Sequence, residues 1–176
     1  IIVLDTDLPN GSPAADHFNL VSDWGIEIGL TPNRADGASH LGVARDLKAL
    51  LNRDISKKST AAFKVDNNKR NIKVTVENTE ACPRYSSLSI SGVTVSPSPE
   101  WLQNRLKAID INPTNNVVDV TNYILHGLGQ PMHAFDADAI IGDEVIVKTL
   151  AEGTKFTTLD EKERKLTATD LMICNK

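Results

Sequence analysis

The chain has 176 residues, 40% of them hydrophobic and 24% charged, enough apolar material for the core of one or two globular domains. Its formal net charge of −4 at pH 7 gives no general attraction for phosphate, so any contact with nucleic acid has to come from local basic groups. No apolar run approaches the roughly 18 residues of a membrane span, and the opening IIVLDTDLPNGSP has neither the basic start nor the apolar core of a signal peptide. Cys82 and Cys174 stand far apart, in neither a CxxC nor a Cys/His spacing. That usage fits a reduced compartment, points to the cytoplasm and offers no zinc site.

IIVLD reads as the end of a strand rather than the start of a protein, and an excised piece is the expectation. TDLPNGSPAAD then reads as an exposed loop. WGIEIGL alternates Ile26, Ile28 and Leu30 on one face, the pattern of a half-buried strand. A helix is predicted from Ser39, which can cap its first turn, to Asn52, with Leu41, Ala44, Leu47, Leu50 and Leu51 facing inward. Residues 52–71 carry little periodicity and most of the local basic charge (Lys57, Lys58, Lys64, Lys69 and Arg70), as a linker does. IKVTV at 72–76 and SLSISGVTV further on alternate as strands, the second changing parity near Gly92 in the manner of a bulge.

SPEWLQNRLKAID is punctuated as a helix, with Ser98 as N-cap, Pro99 in the first position, Glu100 at the positive end of the dipole, and Leu102, Leu106 and Ile109 on one side. A further helix starts near Asn115 or Asn116; Val117, Val120, Ile124 and Leu128 share its core face, and Gly127 and Gly129 end it. DEVIVKTL, KFTTLD, KERKLT and DLMICN are short extended pieces between charged turns. Helices and strands mix without a regular βαβ rhythm, so the fold class is α+β, or irregular α/β.

The segment VVDVTNYILHGLGQPMHAFD sets polar groups among apolar ones. Pro131 blocks continuation of the helix and turns the chain back, delivering His133 toward the helix end. Asn122 lies roughly 140° from Val117 at 3.6 residues per turn, on the rim between buried and exposed faces. Asn122 and His133 either satisfy backbone groups at a buried turn or form, with Thr121, a small polar pocket. Asp119 suits the first helical turn structurally. Cys82, beside Pro83 with no histidine near it in sequence, reads as a small hydrophobe rather than a nucleophile. His126 and His133 are separated by a Gly-Pro break, which is no metal-ligand spacing, and no metal is assigned.

GLTPNRADGASHLGVARDLKALL, CPRYSSLSISGV, SPEWLQNRLKAIDI and NNVVDVTNYILHGLGQPMHAFD, in that order and at similar spacing, resemble the beta subunit of bacterial-type phenylalanine–tRNA ligases. The resemblance runs over essentially the whole chain. It implies that residues 1–18 are the tail of an oligonucleotide-binding insertion and 19–55 part of a small N-terminal α/β unit. Residues 56–71 would then be a linker and 72–176 a mixed-sheet editing domain, incomplete at its C-terminus. It implies further that Thr121, Asn122 and His133 belong to an editing pocket that hydrolyses mischarged tyrosyl-tRNA(Phe), with Asn122 and His133 as the catalytic pair. The implied partners are tRNA(Phe), the tyrosine moiety it carries and the synthetase alpha subunit of a heterotetramer. ATP and magnesium belong to the parent's synthetic site, and no cofactor is implied in this fragment.

Such editing has a physical rationale. An apolar pocket made for phenylalanine rejects an analogue with one added hydroxyl by only about 10²-fold, whereas a second site that hydrogen-bonds the phenol selects tyrosine by about 10⁴ to 10⁵. An aminoacyl ester is already activated, so a positioned water can suffice without a covalent nucleophile. Two departures from the family pattern stand out. The chain stops at LMICNK, ahead of a glycine-rich segment that would form another wall of the pocket, and Glu161 stands in TLDEKERKL where the family commonly has Gly. The alternative reading is a non-catalytic tRNA-docking or subunit-packing module.

Overall fold

The computed structural model describes residues 3–18 and 20–176; Ile1 and Ile2 of the predicted opening strand, and Asn19, lie outside the described residues. The chain divides into two compact units that interleave in sequence. The first comprises residues 1–57 and 95–134, the second 58–94 and 135–176. Residues from 72 onward thus contribute to both. Helices dominate the first unit and a mixed sheet the second, an α+β fold as the sequence predicts.

In the first unit, a short helix α1 (Ala14–His17) is followed by an extended segment, a 3-10 turn (Ala35–Gly37) and α2 (His40–Leu51). The predicted punctuation of α2 is realised. The Ser39 hydroxyl accepts the Gly42 N–H at 3.0 Å, and Asn52 closes the helix in the left-handed conformation, φ 49°. Its predicted inward face is a different matter. Leu47, Leu50 and Leu51 are exposed, and Gly42 alone is buried. Gly42 is where the helix crosses the preceding turn: a Cβ there would stand 2.1 Å from the Asp36 carbonyl oxygen. WGIEIGL is extended but not a strand, and Ile26, Ile28 and Leu30 are exposed. Alternation assigns residues to faces but supplies no ladder partner, and among the described residues none lies alongside.

Helices α3 (Glu100–Lys107) and α4 (Asn116–Leu128) complete this unit. Leu102 and Leu106 of α3 are each 1% exposed and form its core stripe, as their spacing predicts. Ser98, expected to cap α3, does something else. Pro99 holds the N-cap position, and the Ser98 hydroxyl donates to the Asp119 carboxylate of α4. An edge-to-face pair of Trp101 and Tyr123, ring centroids 5.6 Å apart, adds to the same packing. The predicted core face of α4 is correspondingly rotated. Asp119 is fully buried, whereas Val120 and Leu128 are exposed, and Gly127 lies inside the helix rather than ending it.

The second unit is built on a three-stranded sheet in the order β1 (Lys73–Val76), β2 (Glu144–Thr149), β5 (Leu171–Asn175). Strand β1 runs parallel to β2 with Lys73 opposite Glu144, and β5 runs antiparallel with Val145 opposite Asn175. Val145 and Val147 alternate onto the buried face of β2, and Ile72 and Leu166 are buried in the same unit. A separate ribbon joins β3 (Lys155–Thr157) to β4 (Glu163–Lys165). SLSISGVTV is not a strand; Leu88, Ile90, Val93 and Val95 are exposed, for the same want of a ladder partner among the described residues.

Candidate functional site

Helix α4 and the chain leaving it carry the residues of interest. The helix begins with Asn115, whose side-chain oxygen accepts the N–H groups of Val117 and Val118, both at 3.0 Å. One turn on, Asp119 anchors the helix from within. Its carboxylate accepts the Ser98 hydroxyl and, at 2.8 Å, the Thr114 N–H, so a buried charge is met by two donors. The α4 end is equally well defined. Gly129, φ 76°, takes the left-handed cap conformation and donates its N–H to the Leu125 carbonyl at 2.8 Å.

Between those fixed ends sit Thr121 and Asn122, adjacent and half-buried. The Thr121 hydroxyl donates to the Val118 carbonyl of its own helix at 2.7 Å, leaving its oxygen able to accept. The Asn122 amide makes no hydrogen bond with the described residues, which leaves two donors and an acceptor available to a ligand or water. His133 lies beyond the α4 cap, exposed, in a segment without regular secondary structure. Helix α4 thus presents Thr121 and Asn122 as neighbours, while His133 belongs to the outgoing chain. Gln130 on the same stretch donates to the Pro131 carbonyl at 3.1 Å.

A residue that periodicity gives no reason to notice meets the end of α4. His40, the first residue of α2, places Nδ1 2.9 Å from the His126 carbonyl oxygen. The two residues are far apart in sequence, and no local pattern in either segment reports the contact.

Elsewhere, two concavities lie within the second unit. An open one of about 500 Å³ is lined by Glu77, Asn78, Thr79, Glu80 and Thr149. A smaller one of about 180 Å³ lies among Phe135, Ile140, Val145, Ile173 and Cys174. Cys82 is half-buried, with its Sγ directed at the Arg84 carbonyl at 3.5 Å. Burial, and secondarily the neighbouring Cys82, raises the Tyr85 hydroxyl above its ordinary pKa. Among the described residues no group of three or more His, Cys, Asp or Glu side chains is arranged to hold a metal ion, and no helix is long and apolar enough to cross a membrane.

Comparison with known proteins adds the family. Residues 81–176 match the B3/4 domain. Over the whole chain the sequence is 57% identical to the phenylalanine–tRNA ligase beta subunit of Bacteroides fragilis and 56% identical to that of Bacteroides thetaiotaomicron. Against the same subunit of Porphyromonas gingivalis it is 53% identical over 99% of its length. The chain spans about 22% of the length of these curated relatives. With more than half of its residues matched to that domain, and similarity to phenylalanine–tRNA ligase beta subunits from end to end, the chain belongs to the B3/4 domain family.

Proposed function

We propose that this chain is the editing portion of a phenylalanine–tRNA ligase beta subunit and that its α4 region takes part in hydrolysing tyrosyl-tRNA(Phe). The observation that carries this reading is Asn122: a half-buried amide beside Thr121, without a hydrogen bond to the described protein, on a helix whose two ends are both capped. A rigid helix holding an unspent amide is a suitable support for orienting a substrate. Thr121 and Asn122 bind the aminoacyl end, and Asn122 with His133 positions the attacking water. The ester needs orientation more than covalent activation, so no nucleophilic side chain is required. The longer protein works with the synthetase alpha subunit in the cytoplasm, and ATP and magnesium serve its separate synthetic site.

The test is deacylation of preformed tyrosyl-tRNA(Phe) by the longer protein. Asn122→Ala and His133→Ala are each expected to slow it by about 10²-fold or more, the contribution of positioned proton-transfer and orienting groups, while phenylalanine activation is unchanged. Editing at the wild-type rate in both variants would overturn the assignment. A non-catalytic docking or packing role is favoured by one feature, the exposed Leu47, Leu50 and Leu51 face of α2. Free tyrosine and phenylalanine separate the two readings. Chemical-shift changes at Asn122 and His133 with tyrosine alone support editing, and equal or absent responses support docking.

A further inference from the structure

Helix α4 ends where α2 begins. The Gly129 cap of α4 lies against the Ser39 cap of α2 so closely that a Cβ built on Gly129 would stand 3.3 Å from the Ser39 hydroxyl oxygen. One residue on, His40 Nδ1 lies 2.9 Å from the His126 carbonyl oxygen. A carbonyl can only accept, so Nδ1 carries the hydrogen and donates. His126 is among the last four residues of α4, whose carbonyls have no partner within the helix. The contact also brings the positive end of the α2 dipole to the negative end of the α4 dipole, which is the favourable arrangement.

We infer that His40 is a positioning residue, whose hydrogen bond to the His126 carbonyl fixes the last turn of α4 and so the direction in which the chain leaves Gly129 toward His133. In sequence, His40 is the first of the 12 residues of α2 and has no part in the motifs around Asn122. Its effect is indirect. Without the bond, the last turn of α4 frays, and the Gly129–Pro131 exit loses its fixed starting point while Thr121 and Asn122, a turn or more earlier, stay in place. The consequence for function rests on the editing role proposed above.

The experiment uses the 176-residue chain, with His40→Ala and His40→Asn. An asparagine amide nitrogen is as many bonds from Cα as the histidine Nδ1, so it can restore the donor without the ring. Two quantities are read: hydrogen exchange at Leu125–Gly129, and the response of the His133 ring signals to titration with tyrosine. His40→Ala is expected to speed exchange in that turn about fivefold, the size of one ordinary exposed hydrogen bond, without changing exchange in α3. It should also weaken the His133 response, and His40→Asn should restore both. Unchanged exchange in His40→Ala, or no restoration by His40→Asn, overturns the inference. If His40→Ala also exposes α3, the same comparison is made with His40→Gln, whose amide lies one bond too far out; full protection of the α4 turn in that variant overturns it. A chain whose wild type ignores tyrosine, yet whose α4 turn loosens in His40→Ala and recovers in His40→Asn, retains the clamp and loses the editing function.

Discussion

Asp119 shows how one side chain can decide which way a helix faces. It is fully buried, and its two oxygens receive the Ser98 hydroxyl and the Thr114 N–H. Replacing it with alanine strands both donors, at about 1–3 kcal/mol for each unsatisfied buried group. Asp119→Asn should cost less, because the amide keeps an acceptor for one donor and can offer its own N–H to the Ser98 oxygen. Urea unfolding checks this order, and equal losses would contradict it. Glu161 is the opposite case, a residue in the wrong backbone conformation for its type. It occupies φ 60° in the turn between β3 and β4, with its N–H donating to the Thr158 carbonyl at 2.9 Å. Left-handed backbone costs a residue with a Cβ about 1–2 kcal/mol, which glycine avoids. Glu161→Gly is therefore expected to stabilise the chain, by about 1 kcal/mol after the greater freedom of glycine in the unfolded state is deducted. A lowered unfolding midpoint would refute that.

At the scale of elements, β1 and β2 are joined by more than their ladder. Glu144, at the start of β2, receives the Lys73 ammonium at 2.8 Å and the Thr75 hydroxyl at 2.6 Å. The Lys73 contact first, and the Thr75 hydroxyl second, hold the Glu144 carboxyl below its ordinary pKa. A depressed carboxylate contributes stability above the unfolded-state value, about pH 4.3, and loses it as pH falls through the folded value. Lys73→Met should accordingly flatten the decline in unfolding midpoint below that pH, and an unchanged acid profile would count against the pairing. Helices α2, α3 and α4 were legible in the sequence because their determinants are local, Ser39, Asn52, Asn115 and Gly129 each acting within four residues. Helix α1 (Ala14–His17) was not, since its Pro- and Gly-rich lead-in made residues 14–16 read as part of the loop TDLPNGSPAAD. Strands β1 to β5 were legible from alternation and turns. WGIEIGL and SLSISGVTV share that alternation, but a strand also needs a neighbour, which sequence pattern does not specify. The rotated face of α4 was hidden because Ser98 and Thr114 come from outside the helix. Thr121 and Asn122 could be placed from their helical phase, whereas His40 could not, since its partner is 86 residues away.

For the whole molecule, charge limits what this chain can do with RNA by itself. The formal net charge is −4, and Arg70, one of the basic residues of the 52–71 stretch, is paired with Asp138 at 2.9 Å and Asp143 at 3.2 Å. Binding of the chain to RNA is therefore expected to be weak and steeply salt-dependent, resting on basic groups such as Lys57, Lys58, Lys64 and Lys69. The interleaving of the two units adds a constraint of another kind, one of time. On a ribosome β1 emerges early, but its partner in register begins at Glu144, after the whole of residues 95–134 has gone to the other unit. Until then the strand has an open edge, and a parallel pairing across such a distance is slow to form. Cutting the chain at residue 81, where the family match begins, would leave the converse defect permanently, because it removes β1 while keeping β2. Residues 81–176 alone are expected to self-associate through the bared side of β2 in light scattering, and a monodisperse solution would show that β2 does not need its earliest-made neighbour.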